Sequence, residues 1–413
     1  MISPLPPQTP VVVAARRTPV GTAGHGLADV DAADLAATVL SALVADLEES
    51  PGRTRGSGVR VDHVVLGNCR GPGGNVARVA TLAADLGQDV PAVTVDRQCG
   101  SGQEAIHQGA ALVALGRADL VLAGGVESAS TAPWRVARPP RGAAGPSESG
   151  AGAGGLPVDA RPYARAPFAP AGWPDPEMGA AAQEVADRFG IDRDRQDAYA
   201  LRSHERTLMC VDRIAAEIVP TGGLTRDERP RRLSSAVLAR LPGAFRAGGS
   251  VTGGNSCGIS DGAAAVAIVP ERIRAELGLP GMAILDWEAA ATDPALPGVA
   301  PLPAIRTLLR RSGVPLAALD VVEITEAFAA QVLACTDALG LDPLGADTER
   351  ICAWGGAIAL GHPWGASGAL LAVRAFSRLV RDPEPGLAGG QGLVTCAIGG
   401  GQGLAMLLQR VGP

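Results

Sequence analysis

Residues 91–128, PAVTVDRQCGSGQEAIHQGAALVALGRADLVLAGGVES, read as strand, helix, strand. PAVTVDR (91–97) is a short apolar strand. GSGQEAIHQGAALVALG is a helix whose first turn is built from small residues, and ADLVLAGGVES (118–128) is a buried strand ending in glycines. The alternation continues outward, with PVVVAAR (10–16) and DHVVLGN (62–68) as strands and ADLAATVLSALVADL (33–47) as a helix. Uninterrupted apolar strands between helices predict an α/β fold with a largely buried sheet. Residues 131–176 break the rhythm with Pro, Gly and Ala, predicting a surface excursion that is either a lid or a tolerated insertion. Met178 to about Arg213 is helical, and the α/β pattern resumes after Gly249. WGASGALL followed by LVTCAIGGG echoes CGSGQEAI followed by LVLAGG, which suggests two matched halves.

Composition narrows the function. With 413 residues, 46% hydrophobic, the chain can bury more than one core. A net charge of −6 argues against a nucleic-acid partner, which would call for a basic face. No lysine occurs, so all 36 basic residues are arginine. Schiff-base chemistry and the Gly-Lys phosphate loop are thereby excluded. Seven scattered cysteines without a CxxC pair form neither a disulfide framework nor a zinc site, so no metal is expected. MISPLPPQTP lacks signal-peptide regions and no apolar run is long enough for a membrane. The expectation is a cytoplasmic protein with reduced thiols and no membrane partner.

Two side chains stand out for chemistry. Cys99 lies between a strand and a helix start, where the helix dipole favours a thiolate and neighbouring amides can hold an oxyanion. Buried structural packing is the commoner fate of a free cysteine, but not in a strand–Cys–Gly–Ser–Gly–helix setting. His362, between Gly361 and Pro363, is expected to be an exposed, fixed general base. His25, His63, His107 and His204 have settings better suited to surface or core packing. The glycines of CAIGGGQG bring backbone N–H groups close to a ligand or simply make a tight turn.

With these landmarks in place, the chain resembles the thiolases, the acyl-CoA C-acyltransferases, from about Pro10 to Leu407. The resemblance is carried by RTPVG (17–21), CGSG (99–102), GGVES (124–128), MGAAAQEVADRFGIDRDRQDAYALRS (178–203) and EIVP (217–220). It is carried equally by the loop at 249–265, TEAFA (325–329), GGAIALGHP (355–363) and GGGQG (399–403). It implies a five-layered αβαβα fold of two similar halves with an inserted loop domain. The implied boundaries are 1–128 plus 249–282 for the N-terminal half, 129–248 for the coenzyme A-binding loop domain and 283–413 for the C-terminal half. It implies that Cys99 is acylated by an acyl-CoA, that His362 activates the thiol, and that Gly399 and the Cys99 amide form one oxyanion hole. Met178, Cys257 and Arg231 fall where the family holds coenzyme A, a substrate and not a permanent cofactor. A homodimer or homotetramer is also implied.

The departures from the family pattern matter as much. The family's second cysteine, the acid/base at the α-carbon, is here Ala397, and the nearest thiol is one residue earlier at Cys396. Adjacent strand residues face opposite ways, so Cys396 is expected to point away from the site unless a bulge turns it. Thr325 stands where an Asn usually holds a water in the second oxyanion hole. Cys257 replaces a serine and Glu177 a histidine, while Trp354 and Trp364 are expected to reshape the pocket. Three readings result: an enzyme making or cleaving 3-oxoacyl-CoA, a diverged acyltransferase or thioesterase passing the acyl group to another acceptor, and a non-catalytic acyl-CoA-binding or partner subunit.

Overall fold

A computed structural model describes residues 4–50, 59–137, 161–163, 165–383 and 389–413. Nine strands run in one sheet in the order Val321–Ile324, Gln391–Ile398, Gln402–Val411, Gly281–Ala291, Pro10–Arg17, Ser260–Pro270, Val121–Glu127, His63–Gly67, Ala92–Val95, and Gly21–Thr22 adds a tenth beside Ser260–Pro270. The N- and C-terminal strand sets join through a short antiparallel pairing of Val11 with Ala283 and Val12 with Met282.

Alternation along the strands builds three separate cores. In Ser260–Pro270, Ala264, Val266 and Ile268 enter a central core, while Ala263, Ala265 and Ala267 enter an outer one beneath the helices Ala32–Glu48 and Val76–Ala83. In Gln402–Val411, Leu404, Met406 and Leu408 enter the same central core, while Ala405 and Leu407 face the helices Pro301–Ser312 and Ala329–Leu339. The central core is filled by the helices Ser101–Ala114 and Trp364–Phe376. Counting the two strand sets of this sheet as separate layers, helices, strands, helices, strands and helices give five layers.

The two central helices meet backbone to backbone. A Cβ on Gly102 would lie 2.8 Å from the Gly365 carbonyl oxygen, and one on Gly368 would lie 2.6 Å from the Gln103 nitrogen. The GSG and WGASG echo is therefore a packing requirement of this crossing. It also brings the N-terminal ends of both helices, and the loops before them, to one place. Among the described residues no helix is long and apolar enough to cross a membrane.

Candidate active site

The turn before Ser101–Ala114 is held tightly. Gln98 adopts a left-handed φ of 46°, which costs a non-glycine residue about 1 kcal/mol or more. Its carbonyl accepts from the Ser101 amide (2.9 Å), the Ser101 hydroxyl (2.7 Å) and the Cys69 thiol (3.0 Å), and its amide donates to Asp96 Oδ1 (2.8 Å). So fixed, the turn presents Cys99 to a cavity of about 100 Å3 that Met178, Cys257, Gln331, His362, Trp364, Ala397 and Gly399 also line.

The amides of Gly399 and of Cys99 itself point at the Cys99 sulfur and favour its thiolate. Burial outweighs them and pushes the thiol up to about 11. This corrects the expectation of a thiolate stabilised at rest: desolvation outweighs the two amides, and the group rests as a thiol. His362 is a second correction. It is buried rather than exposed, its amide donating to the Gly258 carbonyl (2.9 Å), because the 355–362 segment is packed between the two halves. Burial lowers its imidazole to about 4, so it is neutral near pH 7.

The tautomer follows from hydrogen-bond accounting. The Ser367 hydroxyl donates to the Pro363 carbonyl (3.0 Å) and lies 2.6 Å from His362 Nδ1. Its single proton is thereby committed, so Nδ1 carries the ring hydrogen and donates to Ser367. Nε2 is left as a bare lone pair, buried and without a partner. Gln331 is buried on the cavity wall as well, its carboxamide atoms lacking nitrogen or oxygen partners, with the Cys335 thiol alongside.

Other expected residues lie elsewhere. The strand Gln391–Ile398 pairs with Gln402–Val411 without a register shift, so no bulge turns Cys396. Cys396 enters the central core, where its sulfur lies 3.0 Å from Thr325 Oγ1, and Ala397 faces the cavity. That contact occupies the Thr325 hydroxyl, and Thr325 does not line the cavity. Trp354 is likewise absent from the cavity; it is buried with Ile214 and Ile218, with the Arg213 and Arg374 guanidinium groups over its ring (4.6 and 5.5 Å). Trp364 does line the cavity, under the Arg70 guanidinium. Glu177 points out to Arg165 (3.3 Å).

Arg231 is exposed, its amide donating to His204 Nδ1 (3.4 Å). Closer to the cavity is Arg229, which sequence reasoning missed. A Cβ on Gly258 would lie 2.2 Å from its guanidinium, its Nε is buried without a partner, and Cys257 is within its electrostatic reach. Ser367 and Phe168 were missed too. Phe168 closes over Gly399, where a Cβ would meet its ring at 2.5 Å, and Arg165 stacks on that ring (4.4 Å) while pairing with Asp175 (2.8 Å). The 131–176 excursion thus includes a strap against the site, although 138–160 and 164 lie outside the described residues. Nothing in a Pro/Gly-rich stretch marks one Phe as a lid residue.

Comparison with known proteins places this geometry. The family described as "Thiolase, N-terminal domain" matches residues 10–272, and "Thiolase, C-terminal domain" matches 279–410. An acetyl-CoA acetyltransferase of Pseudomonas aeruginosa is 38% identical over 98% of this chain and 100% of its own length. A beta-ketoadipyl-CoA thiolase of Acinetobacter baylyi is 39% identical over 97% of this chain and 99% of its own. The crystal structure of the Bacillus anthracis acetyl-CoA acetyltransferase superposes with a TM-score of 0.82 at 32% identity, covering 98% of this chain and 99% of that one. With the fold, the order of its motifs and these relatives in agreement, the chain belongs to the thiolase family of acyltransferases.

Proposed function

We propose that the protein makes or cleaves 3-oxoacyl-CoA through an acyl-Cys99 thioester, exchanging the acyl group with coenzyme A. The observation that carries this reading is the bare, partnerless Nε2 of His362 on the same cavity as a thiol whose sulfur lies under two amides. His362 takes the Cys99 proton as the sulfur attacks the thioester carbonyl. The oxyanion settles on the Gly399 and Cys99 amides, and the proton passes to the departing coenzyme A sulfur. The names of the relatives support coenzyme A thioesters as substrates. In this reading Met178 and Cys257, which line the cavity, would contact the pantetheine arm, and Arg231 with Arg229 would meet the nucleotide end. The reading includes a cytoplasmic homodimer or homotetramer, no permanent cofactor, and the domain boundaries expected from sequence.

Ala397 on the cavity wall favours a second reading, in which acyl-Cys99 forms but passes to an acceptor other than coenzyme A. Intact-protein mass after mixing with acyl-CoAs, with release of free coenzyme A followed in parallel, tests both. One acyl mass on the wild type and none on Cys99→Ala supports acyl-Cys99. Persistent acylation of Cys99→Ala refutes it. Prompt discharge by coenzyme A supports the first reading, and discharge only by another nucleophile supports the second.

A further inference from the structure

Claisen chemistry needs a group that moves a proton at the α-carbon of the second acyl-CoA, and the methyl of Ala397 cannot do so. Two other thiols, Cys257 and Cys396, lie within electrostatic reach of Cys99. Cys396 is shut in the central core against Thr325. Cys257 lines the same cavity as Cys99, His362 and Ala397. Its amide is anchored to the carbonyl of Ala327 (3.0 Å), which lines the same cavity. The bare, buried Nε2 of His362 opens onto that cavity as a second proton carrier.

We propose that Cys257 is the acid/base that replaces the missing cysteine at 397. This rests on the acyl-Cys99 reading. After the first coenzyme A has left, His362 Nε2 takes the Cys257 proton. The Cys257 thiolate then removes a proton from the α-carbon of the second acyl-CoA, forming S–H as C–H breaks. The freed electron pair attacks the acyl-Cys99 carbonyl, forming the C–C bond. The C–S bond breaks, and the imidazolium returns its proton to the Cys99 sulfur, so atoms and charge balance. Thiolysis runs the same steps backward. Burial, Cys99 and Glu326 push the Cys257 thiol up to about 12, while Arg229 pulls it down.

The experiment compares wild type, Cys257→Ser, Cys257→Ala and Cys257→Ala/Ala397→Cys as intact proteins. Cys99 acylation by acetyl-CoA is read by mass, and deuterium uptake at the acetyl α-carbon is read in D2O at saturating acetyl-CoA. The ratio of α-exchange to acylation should fall about 10²- to 10⁴-fold in Cys257→Ser and Cys257→Ala. Serine keeps the shape, so a fold defect would not mimic this, and the double variant should recover part of the ratio. An unchanged ratio in Cys257→Ser, or no α-exchange in an acylated wild type, overturns the proposal while acyl-Cys99 stands. A wild type that never acylates overturns both.

Discussion

Ser367 spends its one hydroxyl proton on the Pro363 carbonyl, and the resulting tautomer of His362 decides what the site can do. With thiol and imidazole both neutral at rest, the proton moves only when a thioester is present to be attacked. His362→Ala should slow acylation of Cys99 by about 10²- to 10⁴-fold with the fold intact, read by single-turnover release of coenzyme A. Ser367→Ala frees the ring to adopt the wrong tautomer and should cause a smaller loss of the same rate. The pH profile follows from His362 being lowered to about 4 and Cys99 raised to about 11. The imidazole is already the free base above its own value, so acylation should stay nearly flat from about pH 6 to about pH 9 and fall only as acidity approaches pH 4. A steep rise through neutral pH would show that the resting site is ionised otherwise.

Two elements hold these residues at range. Gly125, within the strand Val121–Glu127, lies directly against the second central helix, and a Cβ there would be 2.0 Å from the Gly365 carbonyl oxygen. Overpacking at such a contact costs about 3 kcal/mol or prevents folding. Gly125→Ala is therefore expected to lower Tm sharply, measured by thermal melting, and to disturb both Cys99 and His362 at once. The strap acts differently. Phe168 covers Gly399 and is positioned by Arg165 and Asp175 rather than by a core. Phe168→Ala should leave Tm nearly unchanged but shorten the life of acyl-Cys99 toward water, followed by loss of the acyl mass with time.

At the scale of the whole molecule, Glu217 ties three regions together. It accepts from Arg17 Nε (2.7 Å) in the first strand and Arg374 Nε (2.7 Å) in the second central helix, while Arg17 also pairs with Asp227 (2.7 Å). The two arginines overcome its burial and hold the carboxyl down at about 2. Because the folded value lies below the unfolded one, this stabilisation is complete above about pH 4.5 and is lost as pH falls toward 2. Glu217→Ala leaves two buried guanidinium groups short of a partner and should cost about 3–5 kcal/mol. Chemical denaturation of both proteins at neutral and acidic pH would show the gap narrowing as the wild type is protonated.

Much was legible in the residues themselves. Apolar strands alternating with helices must bury both faces of a sheet, so the α/β class was written in local pattern, whereas the layering came from the family resemblance and the close helix crossing only from the structure. Cys99 and the strand alternation that turns Cys396 from the site were equally local, since period 2 is a property of extended backbone. Burial was not. A glycine-flanked histidine looks exposed until the opposite half of the chain packs over it, and a thiol at a helix start looks acidic until desolvation is counted. Trp354 was expected to reshape the pocket because it is bulky where the family has smaller residues, yet it packs in another core with Ile214 and Ile218, beside Arg213 and Arg374. Ser367, Phe168 and Arg229 carry no signal of their own. Their positions depend on contacts between segments tens to hundreds of residues apart, which only the tertiary structure decides, because desolvation and hydrogen-bond pairing are properties of the assembled surroundings and not of neighbours in the chain.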